Sequence, residues 1–135
     1  MVKKSGENNK YTLHECIIDE IINEESSIKF IFNSGIYSIN EEATTRTNKC
    51  VMEFVLPSFN IDEAYEYISV KFFYKKRIKR FQYMNLLKLL SKNKFKVYMD
   101  YYSELAQSIL LIGTLKNYEV ELIITDIKDI KFNFY

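Results

Sequence analysis

Between residues 28 and 134, apolar side chains return at every second position in one stretch after another. Ile28, Phe30 and Phe32 do so, then Met52, Phe54 and Leu56, then Ile68, Val70 and Phe72. Phe95, Val97, Met99 and Tyr101 follow, then Val120, Leu122 and Ile124, and finally Ile130, Phe132 and Phe134. Successive side chains of a strand point to opposite faces, so a period of two marks a strand with one face buried. Polar residues fill the intervening positions, Lys29 in one stretch and Glu119 and Glu121 in another. A chain patterned this way is committed to β structure.

The remaining segments fit around those strands. Residues 1–10 are polar and aperiodic and read as a flexible arm. Residues 13–22 are rich in β-branched side chains with imperfect alternation, as in a strand buried on both faces for part of its length. Residues 23–27 then read as a turn, so the first two strands form a hairpin that ends at Gly35. Residues 36–39 suit a further short strand, and 40–49, polar throughout, a surface loop. Pro57 ends the strand that begins at Cys50, because proline removes a ladder donor. Residues 60–64 fit a loop or one helical turn, and a longer strand runs over 65–74.

One helix is expected near residues 83–92, where Met84, Leu87 and Leu90 share a stripe with Leu86, and Leu89 widens it. Lys92-Asn93-Lys94 suits its C-terminal end. Strands over 95–101, 108–115 and 118–124 come next, and Lys116-Asn117 makes the last two a hairpin. The expected fold is α+β and mostly β. It is a single curved antiparallel sheet or partly closed barrel of about seven or eight strands, with the helix over an end or a face. Residues 11–135 form a single β-rich domain.

Composition limits the chemistry. The 135 residues fit one domain, and 47% are hydrophobic, enough for a real core. The 19 basic and 18 acidic side chains leave a net charge of +1, so no global field draws the protein to nucleic acid or an anionic membrane. The longest unbroken apolar run, 109–112, is far short of a membrane span. Two cysteines set no disulfide framework, and a cytoplasmic location is the expectation.

Catalytic equipment is scarce. The chain has one histidine, two cysteines and three glycines. No GxGxxG, Walker-type loop, HExxH, GxSxG or CxxC occurs. His14 and Cys16, two apart on a strand, would share a face, and an imidazole beside a thiolate is one way to activate a nucleophile. A zinc site would need Cys50 and a carboxylate from Glu15 or Asp19 as well, at spacings unlike those of recognisable zinc motifs. The simpler reading has His14 bonded to backbone at a strand start and Cys16 in the core. Acidic pairs such as Glu24-Glu25 and Glu41-Glu42 fall in turns, and their spacing selects no glycosidase-like pair. No enzyme activity, metal or cofactor is expected.

Two features suit binding. Lys75, Lys76, Arg77, Lys79 and Arg80 lie between Phe72-Phe73-Tyr74 and Phe81-Gln82-Tyr83. Cations with flanking aromatics can track a phosphate backbone and stack bases. They equally suit an acidic protein partner, or a solvated strand end that blocks edge pairing. Tyr98, Tyr101, Tyr102 and Tyr118 are the tyrosines expected to be partly exposed, and a tyrosine-rich sheet face makes a good protein-binding surface. The functional expectation is therefore a non-enzymatic protein-binding module, with nucleic-acid binding through the basic run as the alternative.

The opening Leu13, His14, Glu15, Cys16, followed by a hairpin that ends at Gly35, resembles the start of a group of small uncharacterised β-rich proteins of low-GC Gram-positive bacteria. In that group the start is Leu-His-Asp-Cys-like, and Glu15 stands here in place of Asp. The later hairpin of residues 109–116 and 118–124 is also similar. The abundance of Ile, Lys and Asn, with 17, 16 and 11 residues, is similar to proteins of AT-rich genomes. The resemblance implies a small β-rich binding protein, of the kind associated with immunity proteins of polymorphic toxin systems or with mobile elements. It implies no activity.

Overall fold

The computed structural model describes residues 2–3, 10–39, 43–57, 66–80 and 83–135. In chain order the first strands are β1 (Val2–Lys3), β2 (Tyr11–Thr12), β3 (Ile17–Ile18), β4 (Glu20–Asn23) and β5 (Ser27–Phe32). Next come β6 (Tyr37–Ile39), β7 (Thr44–Arg46), β8 (Cys50–Val55), β9 (Ile68–Tyr74) and β10 (Arg77–Arg80). Helix α1 (Tyr83–Leu90) leads to β11 (Phe95–Ser103), β12 (Ser108–Leu115), β13 (Tyr118–Ile124) and β14 (Asp129–Phe134). Within the expected arm, β1 pairs with β14, and residues 4–9 lie outside the described residues. So do residues 60–64, for which a loop or helical turn was expected.

The protein is mostly β with one helix among the described residues, as the alternation requires. It does not form the single sheet expected. Its strands make a five-stranded sheet, β1-β14-β8-β5-β4, a six-stranded sheet, β10-β9-β13-β12-β11-β3, and a three-stranded sheet, β2-β6-β7. Every pairing is antiparallel, and no sheet closes into a barrel among the described residues. The physical reason is the amount of apolar surface. One sheet and an 8-residue helix cannot cover so many inward side chains, whereas two sheets that share a core can.

Asp19 is where the chain changes sheets. β3 pairs with β11 in the larger sheet, and β4 pairs with β5 in the smaller one. Asp19 between them donates its backbone N–H to the Ile31 carbonyl at 2.8 Å. The imperfect alternation over 13–22 has this cause: Ile18 and Ile21 face inward, three positions apart rather than two. A second redirection follows β5. Gly35, at φ +81°, sits so close to the Thr47 carbonyl oxygen that a Cβ would lie 2.2 Å from it. Only glycine fits that turn, which sends the chain into the three-stranded sheet. Within the segment expected to be all loop, Thr44–Arg46 forms β7.

Both large sheets give their alternating residues to one core. Phe30, Phe32, Phe54 and Phe132 come from the smaller sheet and Phe72 and Phe95 from the larger, all fully buried. Burying each ring contributes about 1.5–3 kcal/mol relative to exposure. Phe30 and Phe54 meet edge-on, with centroids 4.9 Å apart at 67°, a favoured aromatic geometry. Helix α1 ends at Leu90, short of the expected 92, and it buries Tyr83, Leu86 and Leu90 against β9 and β4. Met84 is exposed, so the buried stripe is rotated from the one read in the sequence. Among the described residues no helix is long and apolar enough to cross a membrane.

Candidate functional site

One face of the six-stranded sheet builds the core, and its other face carries the candidate residues. Antiparallel partners stand side by side on the same face, so the register fixes which residues are neighbours. Tyr101, Leu110, Ile123 and Ser69 form one row across β11, β12, β13 and β9. Met99, Ile112, Glu121 and Lys71 form the next. A third row, toward the hairpin turns, runs Lys96, Thr114, Glu119, Phe73 and Ile78. Leu110, Ile112, Ile123 and Phe73 are half-buried by their neighbours. Met99 and Tyr101 stand above them, 52% and 64% exposed.

A β-bulge creates this arrangement. The pairing of β11 with β12 shifts between Val97 and Met99, leaving Tyr98 as the extra residue. Before the bulge Phe95 and Val97 face the core; after it Asp100 and Tyr102 turn inward and Met99 and Tyr101 turn out. The expected common face for Phe95, Val97, Met99 and Tyr101 is thus broken midway, since one added residue reverses a period of two. A turn from the chain's start holds the bulge. Glu15 donates its N–H to the Val97 carbonyl at 2.8 Å, and the His14 Nδ1–H donates to the Tyr98 carbonyl.

The four tyrosines singled out in the sequence therefore do not share one exposed face. Tyr98 and Tyr101 lie exposed on the open face. Tyr102 is half-buried on the inner side, beside Asp100, where a cavity of about 20 Å³ lies between Tyr11, Leu13 and Ile109. Burial, with lesser help from Glu104 and Asp129, raises its phenol pKa. Tyr118 is half-buried, meets Phe72 edge-on at 5.2 Å and Tyr74 at 5.8 Å, and lines one groove with Tyr98.

The basic run is a hairpin. Lys75 and Lys76 form the two-residue turn between β9 and β10, and Arg77, paired with Tyr74, starts the returning strand. The ladder places Lys79 opposite Phe72 and Arg80 opposite Lys71. The Lys75 ammonium sits 5.4 Å from the centroid of the Tyr74 ring. Beside this turn lies the Lys116-Asn117 turn of the β12–β13 hairpin, at the same end of the sheet. Between the two turns is a groove of about 430 Å³ lined by Lys75, Lys76, Lys116, Tyr98, Phe73 and Glu119. Part of the basic run and two of the four candidate tyrosines, exposed Tyr98 and half-buried Tyr118, thus meet in one place. Lys116 is the member that sequence reasoning missed; it read only as turn punctuation, because its proximity to Lys75 arises from β9 pairing with β13.

His14 and Cys16 do not share a strand face. Residues 13–16 are a turn closed by the Cys16 N–H to the Leu13 carbonyl at 2.9 Å. The imidazole is exposed, while the Cys16 thiol is buried and donates to the Thr12 and His14 carbonyls at 3.8 and 3.7 Å. Burial pushes the Cys16 thiol up to about 11 and the Cys50 thiol up to about 12, the opposite of an activated nucleophile. Of the two carboxylates suggested as a fourth zinc ligand, Asp19 accepts from the Asn33 N–H at 2.8 Å and from Lys94 at 3.0 Å, and exposed Glu15 lies 3.6 Å from the Lys96 ammonium. Among the described residues no three His, Cys, Asp or Glu side chains are grouped to hold a metal ion. No family model, curated protein or solved structure matches this chain.

Proposed function

We propose that the protein is a binding module that recognises a protein partner across the open face of its six-stranded sheet, in the manner of an immunity protein that covers a toxin. One observation carries this reading. The bulge at Tyr98 sets Met99 and Tyr101 outward over half-buried Leu110, Ile112 and Ile123, giving a contiguous apolar area on the open face. Areas of this kind, rimmed by polar residues, mark interaction sites. Tyrosine is enriched in the energetic centre of such sites because it brings large contact area at low entropic cost. Lys71, Lys96, Glu119 and Glu121 surround it and supply a polar rim.

The test is co-expression with toxin-like proteins encoded beside its gene, read as growth rescue and as a stable complex in gel filtration. Wild type rescues growth, and the Met99→Asp/Tyr101→Asp variant fails to rescue while keeping its melting temperature. The reading falls if no such protein forms a complex, or if the doubly charged variant rescues fully. A second reading, nucleic-acid binding, draws on the exposed cations Lys75, Lys76 and Arg77 at the hairpin turn, with Lys79 and Arg80 beyond them. It predicts salt-sensitive binding of a single-stranded oligonucleotide that is lost when three of the five are neutralised.

A further inference from the structure

The two hairpin turns at one end of the open face break a local rule in the same way. Lys75 and Lys76 have φ of 50° and 65°, and Lys116 has φ of 58°. A two-residue hairpin turn with both central residues at positive φ favours Asn-Gly, and one with only the first at positive φ favours glycine there. Lysine in the left-handed region carries a backbone cost that glycine does not. Three lysines stand where turn chemistry asks for other residues, and all three line the same groove. Strain retained at surface turns points to a use for the side chains.

Three lysines face a single carboxylate, that of Glu119, in the lining of the groove. Among the described residues none of the three ammonium groups is paired with a carboxylate. The turns lie next to each other because β9 pairs with β13, so three cations gather within the span of two hairpin tips. Tyr98 forms one wall, Phe73 is half-buried in the lining, and the Thr114 hydroxyl and Asn117 amide add hydrogen-bonding groups.

We propose that this groove binds an acidic segment of a protein partner, its carboxylates held by Lys75, Lys76 and Lys116. The proposal rests on the protein-recognition reading and deepens it, since the groove opens onto the face that carries Met99 and Tyr101. Charge complementarity selects the occupant. A short acidic segment engages the three lysines and stops. A nucleic-acid strand continues along its phosphates, past Glu119 in the lining and toward Glu121, which follows it on the same face. The net charge of +1 adds no wider field to offset that repulsion.

The experiment measures fluorescence anisotropy of labelled hexaglutamate and of a labelled single-stranded oligonucleotide of equal charge, each across a salt series. It compares wild type with Lys75→Asn/Lys76→Gly/Lys116→Gly, substitutions that suit the turn geometry. Hexaglutamate is expected to bind wild type in a salt-sensitive way, and the triple variant to lose roughly tenfold or more in affinity. The variant's melting temperature stays equal or rises, which separates the loss from unfolding. Lys128→Ala/Lys131→Ala, away from the groove, leaves the affinity unchanged. The proposal is overturned if wild type does not bind hexaglutamate, if the triple variant binds it as tightly, or if the oligonucleotide binds more tightly than the peptide. Any of these leaves the Met99 and Tyr101 test standing, so the two readings fail separately.

Discussion

The Tyr83 hydroxyl donates a 2.8 Å hydrogen bond to the side-chain oxygen of Asn23, joining the first residue of α1 to the last residue of β4. Tyr83 is buried, so the phenol keeps its O–H away from water and needs this acceptor. Burial raises its pKa well above the ordinary phenol value, with the Asn23 bond acting in the opposite sense.

Replacing Tyr83 with Phe keeps the ring and removes the donor. A lost buried hydrogen bond of this kind costs about 1 kcal/mol. Denaturant unfolding of Tyr83→Phe, Asn23→Ala and the double variant gives the coupling between them. A coupling of zero would mean that the bond does not hold the helix to β4.

Gly113 faces a different constraint. A Cβ there would lie 2.1 Å from the Lys96 carbonyl oxygen and 2.5 Å from the Phe95 ring, on the strand that pairs with it. The carbonyl is backbone in the ladder and cannot swing aside. Gly113→Ala is therefore expected to destabilise the protein by about 2 kcal/mol or more, as overpacking does. Thermal unfolding measures it, and an unchanged melting temperature would show that β11 and β12 are farther apart at this point.

The two buried thiols make stability depend on alkaline pH. Each folded pKa, about 11 for Cys16 and about 12 for Cys50, lies above the ordinary 9.0 because burial disfavours the thiolate. The unfolded chain therefore releases these protons first. Their contribution is fully present below about pH 9 and is lost as pH rises toward 11 and 12, at about 1.4 kcal/mol per pH unit for each thiol. Denaturant unfolding at a series of alkaline pH values checks the slope, and Cys16→Ala/Cys50→Ala should flatten it. A thiol reagent at neutral pH should label the folded protein far more slowly than the unfolded one.

Much of the fold was legible because strand alternation is a local property. Phe30 and Phe32, Met52 and Phe54, and Val120 and Leu122 are inward as their spacing requires. The Lys116-Asn117 turn was legible too, since it interrupts two apolar runs. Events of a single residue were not. The change of sheet at Asp19 and the bulge at Tyr98 each reverse the inward face without any marker residue such as glycine or proline. Thr44–Arg46 forms a strand with every residue exposed, so no apolar period announced it. Tyr83 takes the buried place on α1 that Met84 was expected to fill, because its ring fits the core while its hydroxyl finds Asn23.

The candidate site was half legible for the same reason. Lys75, Lys76 and Tyr98 could be named from local composition, but their meeting with Lys116 depends on a pairing of distant strands. The separation of Tyr102 from Tyr98 and Tyr101 likewise follows from the bulge, which no local pattern encodes.

The passage from one sheet to the other at Asp19 has a mechanical consequence. The chain leaves its pairing with β11 and enters its pairing with β5 with one residue between, which leaves no slack for the layers to drift apart there. Sliding one layer over the other at this edge would break the β3–β11 pairs or the Asp19–Ile31 bond.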